Sequence, residues 1–190
     1  MVIKALNSLI KRNKSLQVIA SSSRVYLREI TKDDASFMYD LMNQKNWISF
    51  IGDKGIASIA DAIKHIESGP MRSYKINGFG PYLVVDINSG ESVGICGLLK
   101  RTYLDSPDLG YAISERFYRK GYGFEAAQLT LKIVDTLVDT KVIYATVKTE
   151  NIGSCNLLHK LGFTLQPSSG LDSLGSEAEG LLLYKKENTK

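Results

Sequence analysis

Ser114-Glu115-Arg116-Phe117-Tyr118-Arg119-Lys120-Gly121-Tyr122-Gly123-Phe124-Glu125-Ala126-Ala127 is the stretch that orients the rest of this chain. A strand-like run, Leu109 to Ile113, leads in, and a helix-like run, Phe124 to Val138, leads out. Between them lies a tight basic turn with Gly121 and Gly123 two apart. Such a turn leaves unpaired backbone N–H groups at the start of a helix, where the macrodipole also favours negative charge. Arg119 and Lys120 add formal positive charge there. The turn therefore reads as a site for a phosphate or pyrophosphate, with an ordinary strand-to-helix connection as the plain alternative.

Outward from the turn, the elements alternate. Phe124, Ala127, Leu131, Val134 and Val138 recur at spacings of three and four, so one helix face packs on a sheet. Val142 to Val147 is a buried-type strand and completes a β-α-β unit with Leu109 to Ile113. Thr149-Glu150-Asn151 starts a last helix with Leu157, Leu158 and Leu161 facing in, ended by Gly162. Phe163 to Gln166 and Leu181 to Tyr184 read as short strands, with a Ser- and Gly-rich loop over 167–180 between them. Upstream, Asp108 to Ile113, Ser92 to Lys100 and Pro81 to Ile87 read as strands, and Arg72 to Ile76 as a further short one. Gly69-Pro70 is expected to end a helix that starts at Ser58 and carries Ile59, Ile63 and Ile66. Trp47 to Gly55 has no clear period and reads as a loop. Thr31 with Asp34 resembles a capping box opening a helix with Ala35, Met38, Leu41 and Met42 on one face, after a first strand over Arg24 to Ile30. The expected fold is a single mixed α/β (α+β-like) domain. It has a mostly antiparallel twisted sheet of about six to seven strands, about four helices and a β-α-β-α-β C-terminal half.

The 190 residues suit one domain with a real core. With 44% hydrophobic and 23% charged residues, neither disorder nor a membrane protein is indicated, and no apolar run approaches the roughly 20 residues of a spanning helix. The net charge of +4 comes from the N-terminus: residues 1–23 hold Lys4, Lys11, Arg12, Lys14 and no acid, which leaves 20 basic against 20 acidic residues in the body. A neutral body argues against a nucleic-acid partner. The basic segment has three open readings: a disordered extension, an amphipathic turn packing through Ile3, Leu6 and Ile10, or a mitochondrial presequence. Cys96 and Cys155 form no framework or ligand cluster, so a reduced, cytoplasmic setting and no metal are expected. The domain is expected over 24–185, with 186–190 a solvated end.

Three blocks together resemble the GNAT acyltransferase superfamily, and within it the RimJ/RimL type of ribosomal-protein N-acetyltransferase. Asp108-Leu109-Gly110-Tyr111-Ala112-Ile113 resembles its acidic-x-Gly-aromatic strand, Arg119 to Ala127 its pyrophosphate loop, and Asn151-Ile152-Gly153-Ser154 with Lys160-Leu161-Gly162-Phe163 its closing motif. The likeness covers about residues 24–185. It implies acetyl-CoA as cosubstrate, held at its pyrophosphate by Tyr118, Arg119, Lys120, Gly121, Tyr122, Gly123 and Phe124. The pantetheine arm would lie along Tyr111, Ala112 and Ile113, Asn151 would hold that arm, and Ser154 would sit near the sulfur. The plain alternative for Asn151 and Ser154 is helix capping. Ser154 and Asp108 are the candidate catalytic residues, the first as hydrogen-bond donor to the departing sulfur and the second as base or amine-orienting group, with a turn role after Pro107 as its alternative. His159 takes a slot where the family often has Glu and is expected on an exposed helix face; His65 is expected on a helix surface. The usual loop opens on Gln or Arg where Tyr118 stands, and the branch often has Gly where Arg119 stands. The expected partner is an amine, on a protein N-terminus or a small molecule, with a monomer and a homodimer both open; the acceptor side is expected to be walled by Trp47 to Gly55, Tyr74 to Gly80 and the 167–180 loop. A non-catalytic acyl-CoA sensor of the same fold is the alternative function. A nucleotide-binding reading lacks both Gly-x-x-x-x-Gly-Lys-Ser/Thr and Gly-x-Gly-x-x-Gly.

Overall fold

The structure is a computed structural model, and it describes residues 17–167 and 180–188. The N-terminal readings through Ile3, Leu6 and Ile10, and most of the 167–180 loop, lie outside the described residues. In chain order the elements are β1 Val18–Ser21, β2 Val25–Arg28, α1 Ala35–Met42, α2 Lys45–Phe50, α3 Ile59–Ile66, α4 Arg72–Asn77, β3 Pro81–Asp86, β4 Ser92–Leu99, β5 Asp108–Ile113, α5 Tyr122–Lys132, α6 Val134–Leu137, β6 Val142–Lys148, α7 Ile152–Lys160, β7 Thr164–Leu165 and β8 Leu181–Glu187. The eight strands form one sheet in the order β1-β2-β3-β4-β5-β6-β8-β7. Every neighbouring pair is antiparallel except β5 and β6. This is the mixed α/β fold that the alternation implies.

Period-two alternation sends successive side chains to opposite faces, and each face has its own core. Val25, Leu27, Tyr82, Val84 and Leu109 pack with Ala126, Ala127 and Leu158 of α5 and α7. Tyr26, Leu83 and Val85 pack on the other side with Met38, Leu41 and Ile66 of α1 and α3. Among the described residues no helix is long and apolar enough to cross a membrane.

The local signals hold where a side chain makes the cap. Ser58 accepts the Asp61 N–H at 3.2 Å, and the Asp34 carboxylate accepts the Thr31 N–H at 2.8 Å. Gly162, at φ 81, ends α7 in the left-handed conformation.

The structure differs from the sequence expectation in several places. Among the described residues there are eight strands and seven α-helices, more than the six to seven and four expected, and the helix expected over Phe124 to Val138 is two, α5 and α6, parted at Ile133 with Val138 already extended. Arg72 to Ile76 is not a strand but α4, because Gly69-Pro70 does not stop the helix: a π-helical turn, Glu67–Met71, carries the chain through. The wider turn spaces the proline ring from the preceding carbonyls, and Pro70 is buried. Tyr74 then seals the segment, stacking on Tyr82 with centroids 5.6 Å apart, accepting the Ile30 N–H at 3.0 Å and donating to the Pro81 carbonyl. Trp47 to Gly55 is not wholly loop, because Lys45–Phe50 forms α2 around buried Trp47. Its six residues are too few to show a period. The sheet also begins before the expected boundary at 24, since β1 pairs with β2. Lastly β8 continues to Glu187, so the solvated end starts later than Lys185.

Candidate active site

Strands β5 and β6 run parallel but pair at a single position, Asp108 with Tyr144. Beyond it they part, and among the described residues the β6-facing edge of Tyr111, Ala112 and Ile113 has no strand partner, while the other edge stays bonded to β4. A cavity of about 790 Å³ fills the opening. Its wall includes Tyr111, Ala112 and Ile113 of β5, then Tyr118, Arg119, Gly121, Tyr122, Gly123 and Phe124 of the basic turn, and Asn151 and Ser154 of α7. Eleven of the thirteen residues singled out from the sequence thus converge on one space. A methyl on Gly123 would stand 3.3 Å from Leu157 and 3.4 Å from Ile113, so the glycine permits the close approach of α5 to its neighbours.

The turn itself is conformationally unusual. Arg119, at φ 59, is the one non-glycine among the described residues in the left-handed region, and Gly121 follows at φ 83. The position where Gly is common in the resembling branch therefore has a backbone that favours Gly. The first helical bond of α5 runs from the Glu125 N–H to the Gly121 carbonyl at 3.1 Å, which leaves the N–H groups ahead of it as orphan donors.

On the facing helix, the Asn151 side-chain oxygen caps α7 by accepting the Ser154 N–H at 3.1 Å. Its Nδ2 makes no hydrogen bond among the described residues, and the residue lines the cavity. Tyr111 donates its hydroxyl to the Ser154 carbonyl at 3.3 Å, and burial pushes its pKa up. That bond ties the freed strand to the start of α7.

Two selected residues are absent from the wall. Lys120 points its ammonium over the Phe117 ring, 5.3 Å from the centroid. Asp108 sits at the closed end of the parting, three residues (about 10 Å) along the strand from Tyr111. It is 1% exposed, accepts from Arg101 Nε at 3.2 Å and Thr146 Oγ1 at 3.4 Å, and burial, partly offset by Arg101, pushes its pKa up to about 6. His159 is exposed on α7 and meets the Tyr184 hydroxyl at 3.3 Å.

The opposite wall is in part the stretch expected from the sequence: Trp47, Phe50 and Ile51 fall within Trp47 to Gly55, whereas Leu41, Gln44 and Asn46 lie outside the expected stretches and Tyr74 to Gly80 does not line it. Leu41 of α1, Asn46, Trp47 and Phe50 of α2, and the α2 caps Gln44 and Ile51 close the cavity from the other face of the sheet. Gln44 donates to the Ser114 hydroxyl at 3.1 Å and accepts the Glu115 N–H at 3.0 Å. Asn46 lies beside the Tyr118 hydroxyl, whose pKa burial raises and the Asn46 side chain in part lowers. Tyr118, at the head of the turn, thus links it to α2. No signal in the sequence pairs residues this far apart.

Residues 24–164 match the family model described as Acetyltransferase (GNAT) domain, and the chain belongs to that family. Among curated proteins it is similar to the uncharacterized N-acetyltransferase YjdG of Bacillus subtilis (strain 168), 30% identical over 115 residues. That match takes in 57% of this chain and 66% of the relative's length. Among solved structures it resembles ribosomal-protein-S5-alanine acetyltransferase from Vibrio fischeri, with a TM-score of 0.70 and 17% identity over 90% of this chain and 98% of that one. It also resembles spermidine N-acetyltransferase from Vibrio cholerae, solved with CoA and spermine, with a TM-score of 0.69 and 18% identity over 88% and 97%. At these identities the structural likeness is one of fold.

Proposed function

We propose that the chain is an acetyl-CoA-dependent N-acetyltransferase that passes an acetyl group directly from the CoA thioester to a primary amine, on a protein N-terminus or a small molecule. The observation that carries the reading is the parting of β5 and β6 into a cavity that both the basic turn and the start of α7 face. The residues present fit such a cosubstrate. The orphan N–H groups at Gly121 to Phe124, with Arg119 and Lys120 beside them, suit a diphosphate. The unpaired edge of Tyr111 to Ile113 offers backbone donors and acceptors to an amide-bearing arm, and Asn151 Nδ2 adds a donor.

Bound acetyl-CoA supplies the activated acetyl group; the chain's own residues supply position and proton management. Ser154 hydrogen-bonds the departing sulfur, whose thiol reference pKa is about 8.5, so stabilising the thiolate suffices and full protonation is unnecessary. Asp108 receives the amine's proton. Its pKa of about 6 leaves it mostly ionised at neutrality yet close enough to exchange protons. Because it stands outside the cavity wall, bridging water carries the proton to it. The acceptor enters against α2, where Trp47 and Phe50 line the cavity. No nucleic acid or membrane takes part.

Calorimetric binding of acetyl-CoA, followed by a CoA-release assay over polyamines, small amines and N-terminal peptides, tests the proposal. Binding with release for at least one amine supports it. A melting temperature raised by ATP or NAD but not by acetyl-CoA overturns it. A non-catalytic sensor has one observation in its favour, the lack of any carboxylate among the described cavity-wall residues; tight binding without release across the whole panel decides for it.

A further inference from the structure

Behind the basic turn lies a cluster centred on Ser22, Arg24 and Glu125, none of which lines the cavity. Glu125, one turn into α5, accepts from the Ser22 hydroxyl at 2.7 Å, from Arg24 Nε at 2.6 Å and from the Arg24 N–H at 3.3 Å. Its side chain is 16% exposed. Burial works against its charge, but the bonds from Ser22 and Arg24 outweigh that and hold its pKa below the ordinary range. The same Arg24 guanidinium reaches the turn: Nη1 donates to the Lys120 carbonyl at 3.0 Å. Its carbon lies 5.1 Å from the centre of the Tyr122 ring, and Tyr122 donates to Asp86 at 2.6 Å. Arg24 thus joins the first hairpin of the chain to a turn about a hundred residues later.

The geometry of the peptide bond gives this contact its consequence. In a trans peptide the carbonyl of one residue and the N–H of the next point in opposite directions. With the Lys120 carbonyl drawn back onto Arg24, the Gly121 N–H is aimed away from Arg24. Gly121 lines the cavity, and Arg24 does not. The turn needs such a hold, because Arg119 stays in the left-handed region only where its surroundings over-determine it.

We propose that Arg24, oriented by Glu125, is a positioning residue for the cosubstrate: by gripping the Lys120–Gly121 peptide from behind, it aims the Gly121 N–H at the diphosphate. Its charge is spent on Glu125, so its contribution is orientation and not bulk attraction. The fork shape of the guanidinium is essential, since Nε and Nη2 serve Glu125 while Nη1 serves the carbonyl. A lysine at 24 keeps the charge and cannot make these contacts together.

This inference rests on the acetyl-CoA reading, and its test separates the two. Dissociation constants for acetyl-CoA and for acetyl-pantetheine, which lacks the diphosphate and nucleotide, are measured by calorimetry on the wild-type chain and on Arg24→Lys, Arg24→Gln and Glu125→Gln, each with its melting temperature. Expected is a loss of about 10-fold in acetyl-CoA affinity, one charge-assisted hydrogen bond's worth, with acetyl-pantetheine affinity unchanged. Unchanged acetyl-CoA affinity in the variants overturns the proposal. So does an equal loss for both ligands, which marks a purely structural pair. A wild-type chain that binds neither ligand overturns the acetyltransferase reading itself.

Discussion

Asn151→Asp separates the two duties of one side chain. In the folded protein the Asn151 oxygen caps α7 by accepting the Ser154 N–H at 3.1 Å, while its amide nitrogen is free of described partners beside the cavity. Aspartate keeps the accepting oxygen and removes the donor. It also places a negative charge at a helix N-terminus, where the dipole favours it. The cap therefore survives, and the melting temperature should stay within about 1 °C of wild type. Alanine removes cap and donor together. Loss of an N-cap costs about 1 kcal/mol, which at this chain length is a fall of about 3 °C. On the ligand side, Asp and Ala both lose a hydrogen bond to the pantetheine arm, a 3- to 10-fold weakening by roughly the net worth of one such bond. The assays are thermal denaturation and acetyl-CoA titration on the same preparations. Full acetyl-CoA affinity in Asn151→Asp would refute the ligand role and leave Asn151 a cap alone. Equal destabilisation in both variants would refute the capping argument.

Three further outcomes follow from the packing and the charges. Gly97→Ala should lower the urea midpoint by an amount equivalent to about 2–3 kcal/mol, because its new methyl would stand 2.1 Å from the Gly80 carbonyl oxygen and 2.8 Å from Pro81 Cα. Asp108→Asn should change the pH dependence of stability: the folded pKa, pushed from 3.8 to about 6, makes the native carboxyl most favourable below pH 4, and that contribution fades as pH rises through about 6. The wild type should therefore lose about 2.5 kcal/mol from this group between pH 4 and 8, the variant should lack that slope, and denaturant titrations at both pH values compare them. Arg28→Ala should cost about 3 kcal/mol by chemical denaturation, since buried Asp34 loses its two guanidinium bonds at 2.8 and 2.6 Å; an undiminished midpoint would contradict the need for that pairing.

Much of the site was legible because its chemistry is local. The basic turn, the two glycines and the Asn151 cap each occupy a few consecutive residues, and each has a backbone reason for its residue type. The β-α-β arrangement was legible from changes of period alone. Short helices were not: α2 and α4 have six residues each, and α4 follows a proline that normally ends a helix. Both are held by contacts from elsewhere, α2 by Gln44 on Ser114 and Glu115, α4 by Tyr74 on Ile30 and Pro81. Propensity is a weak guide to such segments because tertiary contacts supply most of their stability.

By itself the sequence determined the kind of fold and the glycine-containing basic turn, because alternation, capping and glycine placement act over one or two turns of chain. Only the tertiary structure decided where the sheet opens, that Leu41, Gln44 and Asn46 join Trp47 in walling the cavity, and that Asp108 stands outside it. It alone brings Arg24 to Lys120 and Glu125. Those outcomes depend on pairings between residues up to about a hundred positions apart, whose closure no local preference encodes.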